Sequence, residues 1–188
     1  MDNNYIFQYR EAIQNGTVTV GKWIKTIYEI LVNGLKSGKW DFDEEKANKA
    51  INFIENFCHH SEGRNDLLKL ELWQKAIVSA IFGIMDKRTG YRQFREVFIV
   101  VARKNGKTLF AAAIAAYMAY IDGEYGAKVY FLAPKLDQAD LVYDAFYQIV
   151  QADDELDSIT KKRRSDIYIK EFNTSVKKIA FNSKKSDG

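Results

Sequence analysis

The chain has 188 residues, of which 47% are hydrophobic, 28% charged and 14% aromatic. This composition is typical of a folded globular domain and excludes a disordered, fibrous or membrane-embedded chain. The 28 basic residues exceed the 25 acidic ones by only three, so the net charge does not require nucleic acid or an anionic membrane as a partner.

Three helices are predicted in the first half of the chain. The first spans Thr19 to Leu35, where apolar residues recur at helical spacing and predict one buried stripe, made of Trp23, Ile24, Ile27, Tyr28, Leu31 and Leu35. The second begins at a capping box of Asp41 and Glu44 and runs to about Cys58. Its apolar face is Ala47, Ile51, Ile54 and Phe57. After a loop over residues 61–66, the third helix starts near Leu70, with a stripe of Trp73, Ile77, Ala80, Ile81 and Ile84.

A strand, a helix and a second strand are predicted next. Residues 97–102 are continuously apolar and largely β-branched, which is typical of a strand buried on both faces. A turn at 103–106 is followed by an alanine-rich helix that reaches Ile121. A second apolar strand, Val129 to Ala133, ends at Pro134. Parallel strands joined by a helix are the unit of an α/β fold.

The last part of the chain is predicted to contain one helix and two short strands. The helix carries Val142, Ala145, Phe146 and Ile149, and the strands are Ile167 to Ile169 and Val176 to Phe181. The sequence thus predicts an α/β protein with a mostly parallel sheet flanked by helices. We divide it into a helical N-terminal region, 1–65, and a phosphate-loop domain, 66–188.

The segment 103–108 contains the strongest functional signal. Gly106, Lys107 and Thr108 lie where a strand is predicted to end and a helix to start, so backbone N–H groups and the positive helix end converge on one point. In nucleotide triphosphatases the glycine lets the backbone approach the phosphates, the lysine reaches the β and γ phosphates, and the hydroxyl binds Mg²⁺. These three residues match those roles, which predicts a P-loop NTPase.

The full Walker A pattern is not met, because Val101 stands where the pattern has its first glycine. The alternative is a surface turn whose basic residues are solvated. Basic residues at a helix N-terminus oppose the helix dipole unless an anion is bound. Because these basic residues are unfavourable at a helix start without an anion, their presence here favours an anion site over a surface turn.

The run from Val101 to Thr108 resembles the variant Walker A of the large terminase subunits of tailed bacteriophages, whose ATPase pumps DNA into the capsid. Residues 70–74 resemble the adenine-contacting Q motif of that family, and residues 91–95 its approach to the phosphate loop. The strand at 129–133 with Gln138 and Ala139 resembles the segment that follows. The resemblance covers most of residues 40–188.

The resemblance implies ATP and Mg²⁺ as cofactors. Lys107 and Arg103 would be the catalytic residues, both acting on the phosphates. Lys104 and Asn105 would complete a binding loop with Gly106, Lys107 and Thr108, and the Thr108 hydroxyl would hold Mg²⁺. Gln74 would read adenine, since an amide both donates to and accepts from the N6 and N7 edge. The alternative for Gln74 is an ordinary polar residue on an exposed helix face. Trp73 is expected in the core rather than as a stacking platform, since it lies on the apolar stripe.

The resemblance also implies partners and a compartment. Double-stranded DNA, a small terminase subunit, the capsid portal and further copies of the chain in the motor are the implied partners, in the host bacterial cytoplasm. The single cysteine and the absence of a signal-peptide pattern at residues 1–4 likewise predict an intracellular protein. The longest apolar run, 109–121, is well short of the roughly twenty residues that cross a bilayer, so no membrane partner is expected.

A second acidic motif, which would hold Mg²⁺ and activate water, is not found. Residues 119–122 with Glu124 are the only superficial candidate, and they close the helix that starts at the phosphate loop. In terminases the acidic motif follows a turn that resembles Lys185 to Gly188. The chain is therefore expected to be an N-terminal fragment of a phage or prophage terminase, incomplete before the Walker B strand, with little hydrolytic activity. Its unpaired sheet edges would favour self-association.

Two alternatives to this function stay open. One is another helicase-like P-loop translocase, and the other is an inert truncated prophage protein that acts only as a binding module. The basic cluster Lys161 to Arg164 belongs to a stretch, 161–188, with nine basic and three acidic residues. It either contacts DNA or forms a solvated loop. Cys58, His59 and His60 are consecutive, which disfavours both a zinc site and a nucleophilic pair.

Overall fold

The chain forms two units in the computed structural model, which describes residues 4–60 and 63–180. The first unit consists of residues 1–52 and 69–100, and the second of residues 53–68 and 101–188. Helices and β-strands are both present, as the α/β prediction requires. The described residues contain no helix that is long and apolar enough to cross a membrane. The predicted division at residue 65 stays a prediction.

The first unit is mainly helical. Its elements are α1 (Tyr5–Gln14), α2 (Lys22–Lys36), β1 (Asp41–Phe42), most of α3 (Glu44–Phe57), α4 (Leu72–Gly83) and β2 (Ile84–Met85). The strands β1 and β2 pair antiparallel. Helix α1, which the sequence did not predict, is capped by Asn4, whose Oδ1 accepts a hydrogen bond from the Ile6 amide at 2.9 Å. Arg10 on α1 donates two hydrogen bonds to Glu29 on α2, at 2.9 and 3.1 Å.

The core of the first unit is built where α1, α2 and α4 meet. Buried side chains of these helices form one cluster with Trp40, which follows α2, and Ile84 of β2. The helical members are Ile6, Tyr9, Ile13, Tyr28, Leu31, Val32 and Ala76. The indole of Trp40 lies directly on Gly34 of α2. A Cβ at position 34 would stand 2.4 Å from Trp40 Cζ3, so only glycine lets the ring and the helix approach this closely.

Three details of the first unit differ from the sequence predictions. The predicted buried stripe of α2 is wrong at its N-terminal end, because Trp23 is 78% exposed. The predicted capping box of Asp41 and Glu44 is wrong: Asp43 caps α3 and accepts from the Lys46 amide at 2.9 Å. Asp41 instead lies in β1, opposite Met85. Helix α4 is mostly apolar, and its buried positions differ from the predicted stripe: Gln74, Ala76, Val78, Ser79, Phe82 and Gly83.

The second unit consists of a mixed sheet and the helices packed on it. Its elements after residue 100 are α5 (Lys107–Tyr120), β3 (Lys128–Ala133), α6 (Leu136–Ala152), α7 (Asp154–Ile159), β4 (Thr160–Lys162), β5 (Ile167–Ile169) and β6 (Thr174–Ala180). The strand order is β3-β6-β5-β4. Strands β3 and β6 are parallel, whereas β5 pairs antiparallel with both β6 and β4. The sequence predicted a mostly parallel sheet, but among the described strands only β3 and β6 pair in parallel.

Alanines determine how α5 packs. Alanine is the strongest helix former, and its single methyl group lets neighbouring elements approach the helix closely. Helix α5 contacts α6, β3 and β6 and buries Ala112, Ala113, Ala115, Ala116 and Ala119. Near its C-terminal end the Tyr120 hydroxyl lies 2.6 Å from Thr160 Oγ1, and burial raises the pKa of this phenol. The predicted packing of this helix on the sheet is confirmed.

The predicted buried strand over residues 97–102 is wrong. These residues form no strand, and Phe98 and Val100 are 95% and 78% exposed. An apolar run becomes a buried strand only if other strands pair with it, and none of the described strands pairs with this one. Strand β3 and strand β5 lie close to their predicted positions. Ser61, Glu62, Phe181 and the turn Lys185 to Gly188 lie outside the described residues.

Replacing Gly34 by alanine is expected to destabilise the first unit. The new methyl group would overlap the Trp40 ring and cost about 1 to 3 kcal/mol, although alanine is the better helix former by roughly 1 kcal/mol. Urea unfolding of Gly34→Ala measures the cost. The same substitution in a Trp40→Leu background should cost much less, or should stabilise. An equal cost in both backgrounds would show that the ring is not the cause.

Candidate phosphate-binding site

The start of α5 has the geometry of an anion-binding helix terminus. Gly106 is the N-cap residue in the left-handed conformation, with φ +66°, and its carbonyl accepts a hydrogen bond from the Phe110 amide at 2.9 Å. The first N–H groups of a helix have no partner within the helix. No side chain caps α5, and its first turn contains no acidic residue. The terminus can therefore offer N–H groups and a positive dipole to an anion.

The preceding turn is held by backbone conformation and by one side chain. Lys104 is left-handed, with φ +66°, which is uncommon and costly for a residue with a Cβ. The Asn105 side-chain amide donates to the carbonyls of Ala102 and Arg103, at 3.2 and 3.3 Å. Left-handed residues in a tight turn direct successive N–H groups to one side and make concavities that bind anions.

The cationic side chains of this loop are open to solvent. Arg103, Lys104 and Lys107 are all exposed, and Thr108 is half-buried in the first turn of α5. Three positive charges beside a positive helix end repel one another and the dipole. A phosphate group at this point would attract all three cations and the helix end, and these attractions would offset the repulsion. The donor set, which consists of N–H groups, a lysine and a threonine hydroxyl, suits a nucleotide phosphate with Mg²⁺.

Gln74 lies in α4, in the first unit, and has a structural role. It is 7% exposed, so its interpretation as a polar residue on an exposed face is wrong. Its Oε1 accepts from the Glu71 amide at 2.9 Å, and the Glu71 side chain accepts in return, which forms a capping box. Its predicted contact with adenine stays a prediction. Trp73 is half-buried and packs against the core of the first unit, as its place on the apolar stripe predicted.

Other candidates from the sequence have clear positions in the second unit. Residues 119–120 belong to α5, so the superficial acidic motif is not a strand, as the sequence indicated. In the basic cluster, Lys161 and Lys162 lie in β4 rather than in a loop. Lys162 Nζ lies 4.0 Å from the Tyr147 ring centre, and Arg163 Cζ lies 3.5 Å from that of Tyr168. DNA contact by this cluster stays a prediction.

Cys58 is buried and its surroundings disfavour a thiolate. Burial, with a smaller contribution from Asp153, raises the pKa of the thiol to about 12. A nucleophilic cysteine requires the opposite shift. Among the residues that the structure describes, no group of three or more histidine, cysteine or acidic side chains is arranged to hold a metal ion.

The left-handed backbone at Lys104 and the two hydrogen bonds of the Asn105 amide were missed from the sequence. Asparagine directly before glycine is a turn signal, and it could have located the turn. It could not have identified which residue adopts a positive φ. The structure brings residues 103–108 together at one helix end, as expected from their order, and places Gln74 in the other unit.

Comparisons with known proteins found one family model and one solved structure that resemble this chain. The model of the family described as "Terminase large subunit, ATPase domain" matches residues 72–188. The crystal structure of the large terminase of bacteriophage HK97 is similar, with a TM-score of 0.64 and 24% sequence identity. The likeness covers 76% of this chain and 29% of that chain, so this chain spans less than a third of the length of that relative. No curated protein matches.

Substitutions at Lys104 should separate backbone strain from charge. Lys104→Val is expected to lower the free energy of unfolding by about 1 to 2 kcal/mol, because a β-branched residue is strained in the left-handed region. Lys104→Gly removes the same charge and should leave stability within about 1 kcal/mol of the original. Urea unfolding provides the measurement. Lys128→Val, at an exposed position of β3, is the control and should be tolerated. Equal stability of Lys104→Val and Lys104→Gly would contradict the left-handed turn.

Proposed function

The chain belongs to the family of terminase large subunit ATPase domains, and we propose that it binds ATP with Mg²⁺ at the start of α5. The observation that carries the proposal is the uncapped N-terminus of α5, which directly follows an exposed cationic turn. The family implies ATPase activity. We propose that the nucleotide site serves a motor that moves double-stranded DNA into a phage capsid.

Each residue of the loop has a proposed role. Lys107 neutralises the β and γ phosphates, and Thr108 supplies a hydroxyl to Mg²⁺. Gly106 allows close backbone approach, because it carries no Cβ and adopts a φ of +66° that favours glycine. Arg103 stabilises charge on the transferring phosphate as the second catalytic residue. Lys104 and Asn105 shape the turn that holds these groups.

Hydrolysis needs more than this loop provides. Phosphoryl transfer depends on positioning and charge stabilisation, and also on a carboxylate that holds Mg²⁺ and orients the attacking water. The sequence of these 188 residues contains no acidic motif of that type at a predicted strand end. The lack of a positioned base lowers a rate by about 10²- to 10⁴-fold. We therefore propose that these residues by themselves bind ATP and hydrolyse it very slowly.

The partners of the motor are proposals that rest on the family. They are double-stranded DNA, a small terminase subunit, a capsid portal and further copies of the chain, in the cytoplasm of a phage-infected or prophage-carrying bacterium. The proposed DNA contact on this chain is the basic cluster Lys161 to Arg164, in which Lys162 of β4 lies over Tyr147 and Arg163, which follows β4, lies over Tyr168. Nucleic-acid affinity at such a surface should fall steeply with salt.

Lys107→Ala is expected to weaken ATP binding about 10- to 100-fold, because it removes a charge-assisted contact to the phosphates. Titration of a fluorescent ATP analogue with Mg²⁺, with ATP and GTP as competitors, measures the loss. Lys128→Ala, another exposed lysine in the same unit, is the matched control and should bind as the original chain does.

Three results of these measurements would contradict the proposed function, each in a different way. Equal binding by the original chain and by Lys107→Ala would place the nucleotide elsewhere. Failure of the original chain to bind ATP would favour the inert binding module over the motor fragment. Rapid, Lys107-dependent turnover by these residues would contradict the proposal of slow hydrolysis.

Gln74→Ala and Glu71→Ala should separate adenine recognition from helix capping. Each substitution breaks the same capping box and should lower the free energy of unfolding by about 1 kcal/mol. Only Gln74→Ala removes the amide proposed to read adenine, so only this variant should lose the preference for ATP over GTP. Competition titrations on both variants provide the measurement. Equal loss of the preference in both would assign the effect to the helix start rather than to Gln74.

A further inference from the structure

Helix α6 covers one face of the sheet in the second unit. On β3, the centre of the Phe131 ring lies 6.0 Å from that of Phe146 on α6. On β6, Lys178 Nζ lies 2.6 Å from Asp140 Oδ1 on the same helix. Successive residues of a strand point to opposite faces, so the neighbours of Phe131 and Lys178 point away from α6. We call the surface formed by these outward residues the open face.

The open face carries two aromatic rings. Tyr130 of β3 is 42% exposed, and Tyr168 of β5 is half-buried. Tyr130 pairs with Lys177 of β6, and Tyr168 pairs with Ser175, two residues earlier on the same strand. Both rings therefore point to the same side of the sheet. Strand spacing and rise place the two positions about 12 Å apart.

The charges on the open face have one sign. Lys177 lies beside Tyr130 on β6, and Lys161 of β4 pairs with Tyr168. Arg163 also lies on this face, since its Cζ is 3.5 Å from the centre of the Tyr168 ring. None of the outward residues of these four described strands is acidic. The open face thus combines two aromatic rings with a positive potential.

The Tyr168 side is prepared for stacking. The Tyr168 hydroxyl donates a hydrogen bond to Asn173 Oδ1 at 2.9 Å, which fixes the direction of the ring. The planar guanidinium of Arg163 lies over that ring. A nucleic-acid base stacks on a guanidinium plane as well as on an aromatic ring. A base at this point meets a surface that is already ordered, which lowers the cost of binding.

We propose that the open face binds a single strand of nucleic acid. One base stacks on Tyr130 and another on the Arg163 guanidinium above Tyr168, while Lys161 and Lys177 contact phosphates. A duplex keeps its bases stacked inside and would offer these rings nothing but its backbone. The site goes beyond the proposed duplex contact of the basic cluster, because it reads the faces of bases, and it does not depend on the nucleotide site at α5.

The composition of the open face disfavours a protein partner. The centre of a protein interface is depleted of lysine, whereas here lysines lie next to both rings. The aliphatic residues Leu132 and Ile179, 60% and 40% exposed, pair with each other at the ends of β3 and β6. They are therefore at one end of the face and not between the rings. A charged surface with separated rings fits a single strand better.

The test measures fluorescence anisotropy of labelled oligonucleotides with the whole chain and without ATP. The probes are oligo(dT), oligo(U), a blunt dA·dT duplex and an abasic deoxyribose strand, each about twelve nucleotides long. We expect oligo(dT) or oligo(U) to bind about 10-fold or more tightly than the duplex and the abasic strand. A duplex has the higher charge density, so tighter single-strand binding requires contact with bases. The tighter of the two single strands identifies the sugar that the face accepts.

Ring variants test the stacking. Tyr130→Leu removes the aromatic ring and should weaken single-strand binding about 5- to 100-fold, whereas Tyr130→Phe keeps the ring and should bind as the original chain does. Tyr91→Leu, at another exposed tyrosine, 69% exposed in the first unit, is the matched control and should bind normally. Circular dichroism melting should show each variant folded, because these side chains are exposed.

Charge variants test the phosphate contacts. Lys161→Ala with Lys177→Ala should weaken binding and reduce the slope of log K against log salt by about 1.4, since each phosphate contact of a single strand contributes about 0.7. Lys25→Ala, at an exposed lysine of α2, is the control and should leave this slope unchanged.

Four results would overturn the proposal. These are no binding of either single strand up to about 1 mM, equal binding of the abasic strand, equal binding by Tyr130→Leu, and duplex binding at least as tight as single-strand binding. The last result would leave the basic cluster as a duplex contact and would not affect the nucleotide site. Tyr130-dependent binding to phosphatidylglycerol vesicles that excludes the single strand would assign the open face to a membrane instead.

Discussion

The close packing of α5 is the constraint on which the candidate site depends. Five buried alanines let the helix approach α6, β3 and β6, and packed cores of this kind allow little movement. At the C-terminal end, the contact of Tyr120 with Thr160 fixes the helix to β4. The start of α5 therefore has a fixed position in the second unit. The turn 103–106 is joined directly to this start, so its position is fixed as well. A loosely packed helix would let the same turn drift by more than the tolerance of a phosphate site.

The turn itself lowers stability, and this fits a binding role. Three cations surround a positive helix end, and Lys104 adopts a conformation that costs about 1 to 2 kcal/mol. Strain of this kind persists where the surrounding structure over-determines it, and it concentrates at functional sites. The two hydrogen bonds from Asn105 hold the backbone in this state. An anion at the start of α5 would offset the repulsion, so binding and local stability are coupled at this point.

In the first unit, Gln74 has a structural role that limits how it could contact a nucleotide. Gln74 closes a capping box while it is buried, so the start of α4 needs it whether or not a nucleotide is bound. Its Oε1 already accepts one hydrogen bond, which leaves its NH₂ group as the main means of contact with a base. Helix α2 changes along its length. Its C-terminal half completes the core and brings Gly34 against Trp40, whereas Trp23, near its start, is 78% exposed.

The sequence by itself determined the features that depend on neighbours along the chain. The start of α5 at Lys107, the bounds of β3 near Pro134 and the order of residues 103–108 all follow from local propensity and turn chemistry. Tertiary structure alone decided the features that depend on distant residues. Asp41 could not cap α3, because it lies opposite Met85 in β1. Residues 97–102 have a strand's composition but pair with no strand of the described part of the chain. Trp23 follows the helical period yet faces solvent. Periodicity marks which residues are apolar, whereas burial requires a partner that periodicity does not specify.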